Sequence, residues 1–186
     1  GTEAAKGFRM LGTHNDSPTL RIKSNPEVKS ENFRQINVEP YGGLMYRGWF
    51  DRPLSVAGRL LVRKDNKTIE EKIINVDKNV LIIPSLAIHM DRDVNGGKEI
   101  NPQKELTPIY ALDNDDNIDF LDYIADFAEI ERDSLLDYDL TLYPREKGEY
   151  IGTADEFYSL ARLDNLLMTH QAITAIGETS DVENSF

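Results

Sequence analysis

The sequence of 186 residues contains no cysteine. Disulfide bonds are therefore excluded, and any metal site must be built from His, Asp and Glu side chains. The absence of cysteine is also typical of reducing compartments, so we expect a cytoplasmic location. Long apolar runs are missing as well, because no stretch approaches the roughly 20 residues that a membrane-spanning helix needs.

Basic residues are outnumbered by acidic ones. Lys and Arg total 21 and Asp and Glu total 33, which gives a formal net charge of −12. A surface with this much negative charge repels nucleic-acid phosphates and anionic lipids. We therefore expect no nucleic-acid partner and no membrane partner. Hydrophobic residues make up 40% and charged residues 29% of the sequence, an ordinary composition for a globular protein.

Short apolar or alternating segments are frequent in the first half of the chain. They predict strands over residues 7–12, 19–23, 35–39, 55–63, 69–76 and 80–83, with a later strand over 137–143. Asn25-Pro26 is expected to end the second of these strands. Short strands at this spacing favour a compact β-barrel or β-sandwich in the middle of the chain.

Helical periodicity is confined to two segments. One spans residues 118–128 after the capping pair Asp115-Asp116, and the other spans residues 163–176. The polar composition predicts a mobile loop over 91–103 and a second loop over 144–152.

The order of these elements predicts an α/β fold interrupted by an inserted domain. We expect residues 1–24 to begin the outer α/β domain, residues 25–144 to form the inserted β-rich domain, and residues 145–186 to return to the outer domain. The two flanks are too short to form a whole sheet domain. We therefore expect much of the outer domain to lie beyond both termini.

A candidate site follows the first predicted strand, in Gly12-Thr13-His14-Asn15-Asp16-Ser17-Pro18. His14 could bind a metal there while Asp16 orients its ring, because a metal-bound histidine commonly donates its other N–H to a carboxylate or carbonyl. Ligand sites of α/β sheets also lie at strand ends. The alternative is an ordinary turn closed by an Asx hydrogen bond, and the triplet alone leaves both interpretations open.

A second candidate opens the last predicted helix, in Arg162-Leu163-Asp164-Asn165. The two oxygens of the Asp164 carboxylate could bridge two cations. The alternative is an N-cap or first-turn acid, which stabilises a helix without any ligand.

Two further histidines are less informative. His89 is the last residue of the block Ile83-Pro84-Ser85-Leu86-Ala87-Ile88-His89, at the edge of the polar loop. A lone histidine in such a place is more often structural or solvated than functional. His170 lies among leucines of the last helix, and we expect a core or surface histidine there rather than a ligand. Trp49-Phe50-Asp51-Arg52 is typical of a packing corner or an interface.

Taken together, these sequence blocks resemble blocks of the aspartyl aminopeptidases. They follow one another in the same order as in that family and extend over nearly the whole chain. The blocks are Gly7-Phe8-Arg9-Met10 with His14-x-Asp16-Ser17-Pro18, Leu20-Arg21-Ile22-Lys23, Tyr41-Gly42-Gly43, Trp49-Phe50-Asp51-Arg52, Ile83 to His89, and Arg162-Leu163-Asp164-Asn165. The resemblance implies a metallopeptidase-type α/β catalytic domain that is interrupted by a β-rich dimerisation domain.

The resemblance also implies roles for four residues. His14 corresponds to a ligand of one metal ion, Asp164 to the carboxylate that bridges both ions, and Asp16 to the acid that orients His14. His89 corresponds to a histidine that reaches the active site of a neighbouring subunit.

The implied cofactors are two zinc ions, or cobalt or manganese in their place. The implied partners are peptide substrates and further copies of the chain, in a homodimer or a higher homo-oligomer. The implied reaction removes the N-terminal residue of a peptide, with acidic residues preferred.

The chain departs from the family pattern after the last helix. The tandem glutamates, the next aspartate ligand and the C-terminal histidine ligand of the family find no match before Phe186. We therefore expect an incomplete metal site and an inactive chain, because zinc normally takes three or four donors. Two alternatives stay open: a non-catalytic oligomerisation or binding module, and a related two-metal aminopeptidase with specificity for neutral residues.

Overall fold

The computed structural model describes residues 10–114 and 119–179, and the chain divides into two compact units. Residues 18–145 form one unit, which we call the barrel unit, and residues 1–17 with 146–186 form the other, which we call the flank unit. The sequence-based boundary at residues 24 and 25 falls inside a strand of the barrel unit. The boundary at residues 144 and 145 lies one residue from the division between the units.

Among its described residues, the barrel unit contains seven antiparallel strands. They are β1 (Thr19–Ser30), β2 (Phe33–Tyr41), β3 (Pro53–Arg63), β4 (Ile69–Asn75), β5 (Leu81–Ile82), β6 (Ile109–Leu112) and β7 (Leu135–Pro144). Hydrogen bonding runs in the order β3-β5-β6-β2-β1-β7 and returns from β7 to β3, which closes a six-stranded barrel. Strand β4 pairs with β3 outside this ring. Gly58 allows the close approach of β3 to β7, because a Cβ there would lie 2.1 Å from the Asp139 carbonyl oxygen.

Alternation along the strands produces the barrel core. In β2 the side chains of Ile36 and Val38 are buried, and in β1 those of Leu20 and Ile22 are buried, while their neighbours are more accessible. The expectation that Asn25-Pro26 ends β1 is wrong. The strand continues to Ser30 through a shift of register between Ile22 and Glu27, because a β-bulge accommodates residues that cannot continue the regular ladder.

The described part of the barrel unit also contains two short helices, and 3-10 turns at Tyr46–Trp49 and Arg132–Ser134. Helix α1 (Pro102–Glu105) lies at the end of the segment expected to be a mobile loop. Helix α2 (Phe120–Phe127) lies within the helix predicted over 118–128, and buries Phe120 and Ile124. The predicted capping pair Asp115-Asp116 and Ile118 lie outside the described residues.

The flank unit contains the hairpin of β8 (Glu149–Ile151) and β9 (Phe157–Ser159), followed by helix α3 (Leu163–Glu178). Strand β8 corrects the prediction of a loop over 144–152, and α3 confirms the predicted last helix. Of the strand predicted over 7–12, residues 7–9 are outside the described range and residues 10–12 form no strand. None of the helices in the described ranges combines the length and apolarity that a membrane crossing requires.

Candidate functional site

The first candidate residue, His14, is oriented by its neighbour two positions on. His14 Nδ1 lies 3.1 Å from the Asp16 carbonyl oxygen and 3.3 Å from Asp16 Oδ1. Two oxygen acceptors next to Nδ1 favour the tautomer with its proton on that nitrogen. The lone pair then resides on Nε2, as in a histidine prepared to bind a metal through that atom.

The second candidate, Asp164, lies at the entrance to α3. Its φ of −85° and ψ of 110° are not helical, the Asp164–Asn165 peptide bond is cis, and Arg162 adopts a left-handed φ of +67°. The Asp164 side chain is exposed. Within residues 10–114 and 119–179, the structure gives its carboxylate no hydrogen bond and no ion pair. The structure therefore gives no capping contact for Asp164, but it places this residue in the first turn of α3, as the alternative of a first-turn acid expects.

Thr169 connects the His14 loop to the beginning of α3. Its hydroxyl donates to the His14 carbonyl oxygen at 3.0 Å and lies 3.1 Å from the Thr13 hydroxyl. The Asn165 carbonyl oxygen, one helical turn earlier, is 3.4 Å away. Sequence reasoning missed Thr169, because a threonine within a helix usually signals only a bond to its own preceding turn. The contact holds the loop that carries His14 against the turn that follows Asp164.

The donor types suit zinc, but they do not complete a zinc site. Histidine nitrogen and carboxylate oxygen are both zinc ligands, and three or four donors are normally needed. In the part of the chain that the structure describes, no group of three or more His, Asp or Glu residues is placed to hold a metal ion, and His14, Asp16 and Asp164 are no exception. The described residues thus supply candidate ligands without forming a full site.

His89 belongs to the barrel unit, on an exposed turn in which the Met90 amide donates to the Ala87 carbonyl oxygen at 2.8 Å. The large apolar side chains on either side are also exposed: Leu86 is 60%, Ile88 48% and Met90 74% accessible. Three such side chains within five residues are more typical of an interaction surface than of an isolated exposed residue. His170, in contrast, is an exposed residue of α3 in the flank unit.

The segment before the His89 turn is joined to the Trp49-Phe50-Asp51-Arg52 segment. Phe50 and Ile83 form an isolated parallel bridge, and Asp51 Oδ1 accepts a hydrogen bond from the Ser85 amide at 2.8 Å. Trp49 and Phe50 are half-buried and pack against the barrel core, as a packing corner would. Two sequence blocks that lie more than 30 residues apart therefore form one structural feature.

Comparison with known proteins identifies one family, both by a family model and by individual relatives. The model of the family described as aminopeptidase I zinc metalloprotease (M18) matches residues 1–185. A probable M18 family aminopeptidase 2 from Clostridium acetobutylicum is 45% identical over 182 residues, which cover 95% of this chain. A similar protein from Pseudomonas entomophila is 42% identical over 175 residues.

Solved structures agree with these sequence matches. The chain is 34% identical to one in the cryo-EM structure of the Ape4 and Nbr1 complex, with a TM-score of 0.79 over 90% of this chain and 36% of that one. It is 28% identical to a chain of the S. cerevisiae mApe1 dodecamer, with a TM-score of 0.69 over 88% of this chain and 37% of that one. The 186 residues span 42% of the length of the Clostridium relative.

Proposed function

Because the chain belongs to the M18 family of aminopeptidase I zinc metalloproteases, we propose that it forms part of a metal-dependent aminopeptidase. The reaction is the hydrolysis of the first peptide bond of a substrate, which releases the N-terminal residue. In this proposal the flank unit belongs to an α/β catalytic domain, and the barrel unit is a dimerisation domain inserted into it. The remainder of the catalytic domain comes from the rest of the whole protein.

The observation that carries the proposal is the attachment of the His14 loop to α3 by Thr169. The hydroxyl of Thr169 bonds to the His14 backbone at 3.0 Å, and the residue lies in the helix that Asp164 introduces. Two candidate ligands from distant parts of the sequence thus belong to segments in direct contact within one unit. A turn closed only by an Asx hydrogen bond would not require such a contact.

The roles proposed for three residues come from the family resemblance, and their surroundings support them. His14 would bind a metal ion through Nε2, and the two Asp16 oxygens beside its Nδ1 support that arrangement. Asp16 keeps that tautomer and ring orientation. Asp164 would supply a carboxylate to the metal ions, as the family resemblance implies, and no hydrogen bond or ion pair within the described ranges occupies its oxygens.

The cofactors of the proposal are two zinc ions, or cobalt or manganese in their place. When bound, they supply a water of lowered pKa and a polarised substrate carbonyl. The remaining ligands and the general base, for which a glutamate is suitable, belong to the rest of the whole protein.

His89 acts on the active site of a neighbouring copy of the chain in this proposal. Its turn presents exposed apolar side chains, as a segment that docks on another molecule would, and the similar mApe1 is a dodecamer. From such a position the imidazole could donate a hydrogen bond to the substrate carbonyl oxygen where negative charge develops. A donor placed in advance at that point is worth about 2.7–4 kcal/mol of activation free energy.

The preferred substrate residue is proposed to be acidic, Asp or Glu. The support is the resemblance of the sequence blocks to the aspartyl aminopeptidases, and a cytoplasmic location is proposed on the same grounds and on the lack of cysteine. A preference for neutral N-terminal residues is the competing outcome.

The test uses the whole protein and a panel of peptides that differ only in the first residue. Release of N-terminal Asp or Glu should require zinc, cobalt or manganese, and should be lost together with bound metal in His14→Ala and in Asp164→Ala. His170→Ala is the matched control, since it removes an exposed histidine of the same unit, and it should keep both metal and activity. Full activity of His14→Ala, or activity that survives complete metal removal, would contradict the proposal.

A further inference from the structure

The turn that carries His89 is held at both of its ends although the turn itself is exposed. On one side, Ile83 is a buried core residue, 1% exposed, and Ser85 is fixed two residues later by Asp51. On the other side, Asp91 forms an ion pair with Lys98 at 2.9 Å. His89 lies between these two attachment points.

Asp51 attaches the segment before the His89 turn to the barrel, where no regular strand pairing does so. Its amide donates to the Ile83 carbonyl oxygen at 2.9 Å, and its Oδ1 accepts from the Ser85 amide at 2.8 Å. Hydrogen bonds from Ser85 lower the pKa of the Asp51 carboxyl below its ordinary value, so the carboxylate is the form that the contact stabilises. Asp51 itself adopts a left-handed φ of +58°, a conformation that Asp, Asn and Gly tolerate better than other residues.

The second attachment is a small charged cluster. Lys98 Nζ lies 2.9 Å from Asp91 Oδ2 and 3.3 Å from Glu105 Oε2 at the end of α1. Arg47 donates to the Val94 carbonyl oxygen at 3.2 Å and ties the same loop to the 3-10 turn before Asp51. These contacts attach the segment predicted as a mobile loop to neighbouring parts of the barrel unit.

We propose that Asp51 is a positioning residue that fixes the His89 turn for its action on a neighbouring active site. The inference rests on the proposed function of His89 and adds the group that holds it. A hydrogen-bond donor contributes to catalysis only when its position is set within a fraction of an ångström, and a turn without a regular ladder does not achieve this alone. Asp51 connects that turn to the barrel core through Phe50 and Ile83.

The test compares Asp51→Gly with Asp51→Asn in the whole aminopeptidase. Both residues tolerate the left-handed φ, but only asparagine keeps an oxygen that can accept from the Ser85 amide. Asp51→Gly should lower kcat by about tenfold or more, with little change in KM or bound metal. Asp51→Asn should remain close to the unaltered enzyme.

Amide hydrogen exchange supplies a readout that does not depend on turnover. In Asp51→Gly the Ser85 amide should exchange faster, while amides of β3 and β7 keep their protection. Loss of protection throughout the barrel would overturn the proposal, because Asp51 would then act as a general stabiliser of the fold.

A double variant separates this inference from the function on which it rests. If Asp51 acts through His89, Asp51→Gly should cause no further loss of kcat in a His89→Ala background. Multiplicative losses would overturn the inference, and so would an unchanged kcat in Asp51→Gly when His89→Ala alone is impaired. An unimpaired His89→Ala enzyme would instead remove the proposed role of His89 and the inference with it.

Discussion

The Thr169 hydroxyl donates a hydrogen bond to the carbonyl oxygen of His14 over 3.0 Å, although the two residues are 155 positions apart in the chain. The bond connects the backbone of a loop to a side chain on a helix, so it fixes where the loop runs without using the His14 imidazole. The imidazole stays available for a ligand, with Asp16 on its Nδ1 side. Thr169 therefore holds the backbone of the His14 loop against α3.

Replacement of Thr169 by valine should loosen the His14 loop. Valine keeps the shape of threonine but loses the hydroxyl, so we expect a loss of about 1 kcal/mol in the free energy of unfolding. In the whole protein, zinc affinity should fall by about tenfold, as for other groups that orient a metal ligand. Competition with a chelator measures this affinity. Thr169→Ser keeps the hydroxyl and is the control, and equal zinc affinity in all three proteins would contradict the prediction.

Subunit mixing tests whether His89 acts in a neighbouring copy. His89→Ala and His14→Ala enzymes should each have low kcat, and His89→Ala should retain its metal. When the two are mixed and subunits exchange, some activity should return, because a site with an intact His14 can then receive an intact His89. Absence of any recovery after confirmed exchange would indicate that His89 acts within its own chain or is structural.

The 186-residue chain alone should release no N-terminal residues in the presence of zinc or cobalt. The reason is that the described residues bring together no group of three metal ligands, and the two proposed ligands would bind an ion weakly. Assay with a dipeptide carrying N-terminal Asp, beside the whole protein as positive control, measures the difference. Metal-dependent turnover by the purified chain would show that further ligands and a base lie within it.

Alkaline pH should weaken the barrel unit through Tyr138. Its hydroxyl donates to the Lys23 carbonyl oxygen at 2.6 Å, and burial, together with the charge of Asp137, raises the pKa of Tyr138 to about 12 from 10.0. Because the pKa is higher in the folded than in the unfolded protein, the neutral Tyr138 hydroxyl makes its full contribution to the free energy of unfolding below pH 10. That contribution is lost as the pH rises through 12. Tyr138→Phe lacks this group and serves as the control.

At pH 8 the Tyr138→Phe protein should be less stable than the unaltered chain by about 1 kcal/mol, the typical net value of one hydrogen bond. The difference should shrink as the pH rises from 10 towards 12. Urea unfolding of both proteins at several pH values measures it, and a gap that does not change with pH would contradict the assignment.

The sequence predicts the strands of the barrel well where the alternation of apolar and polar residues determines them. Alternation places the ends of β3 and β7 within two residues of those observed, because Val56 and Leu60 of β3 and Leu140 and Leu142 of β7 are buried at alternating positions. It failed at Asn25-Pro26, since a bulge is decided by pairing with β2 rather than by the residues themselves. Strand β8 was also missed, because all three of its residues are exposed and carry no alternation of burial.

The sequence proposes the candidate site as a set of residues and not as an arrangement. His14, Asp16, Asp164 and His89 were singled out from motifs and from the family resemblance. The contacts that organise them, Thr169 to His14 and Asp51 to Ser85, join segments that are distant in the sequence. Periodicity and short motifs report local structure only, so such contacts leave no signal in a single sequence.

Anomalous diffraction at the zinc absorption edge, from crystals of the whole protein, tests the proposed metal site most directly. We predict a zinc ion bound by His14 Nε2 at about 2.0–2.1 Å, with an Asp164 oxygen at about 2.0–2.2 Å from the same ion. Zinc found only at other residues, or His14 and Asp164 side chains more than roughly 10 Å apart, would contradict the assignment of these two residues as shared ligands.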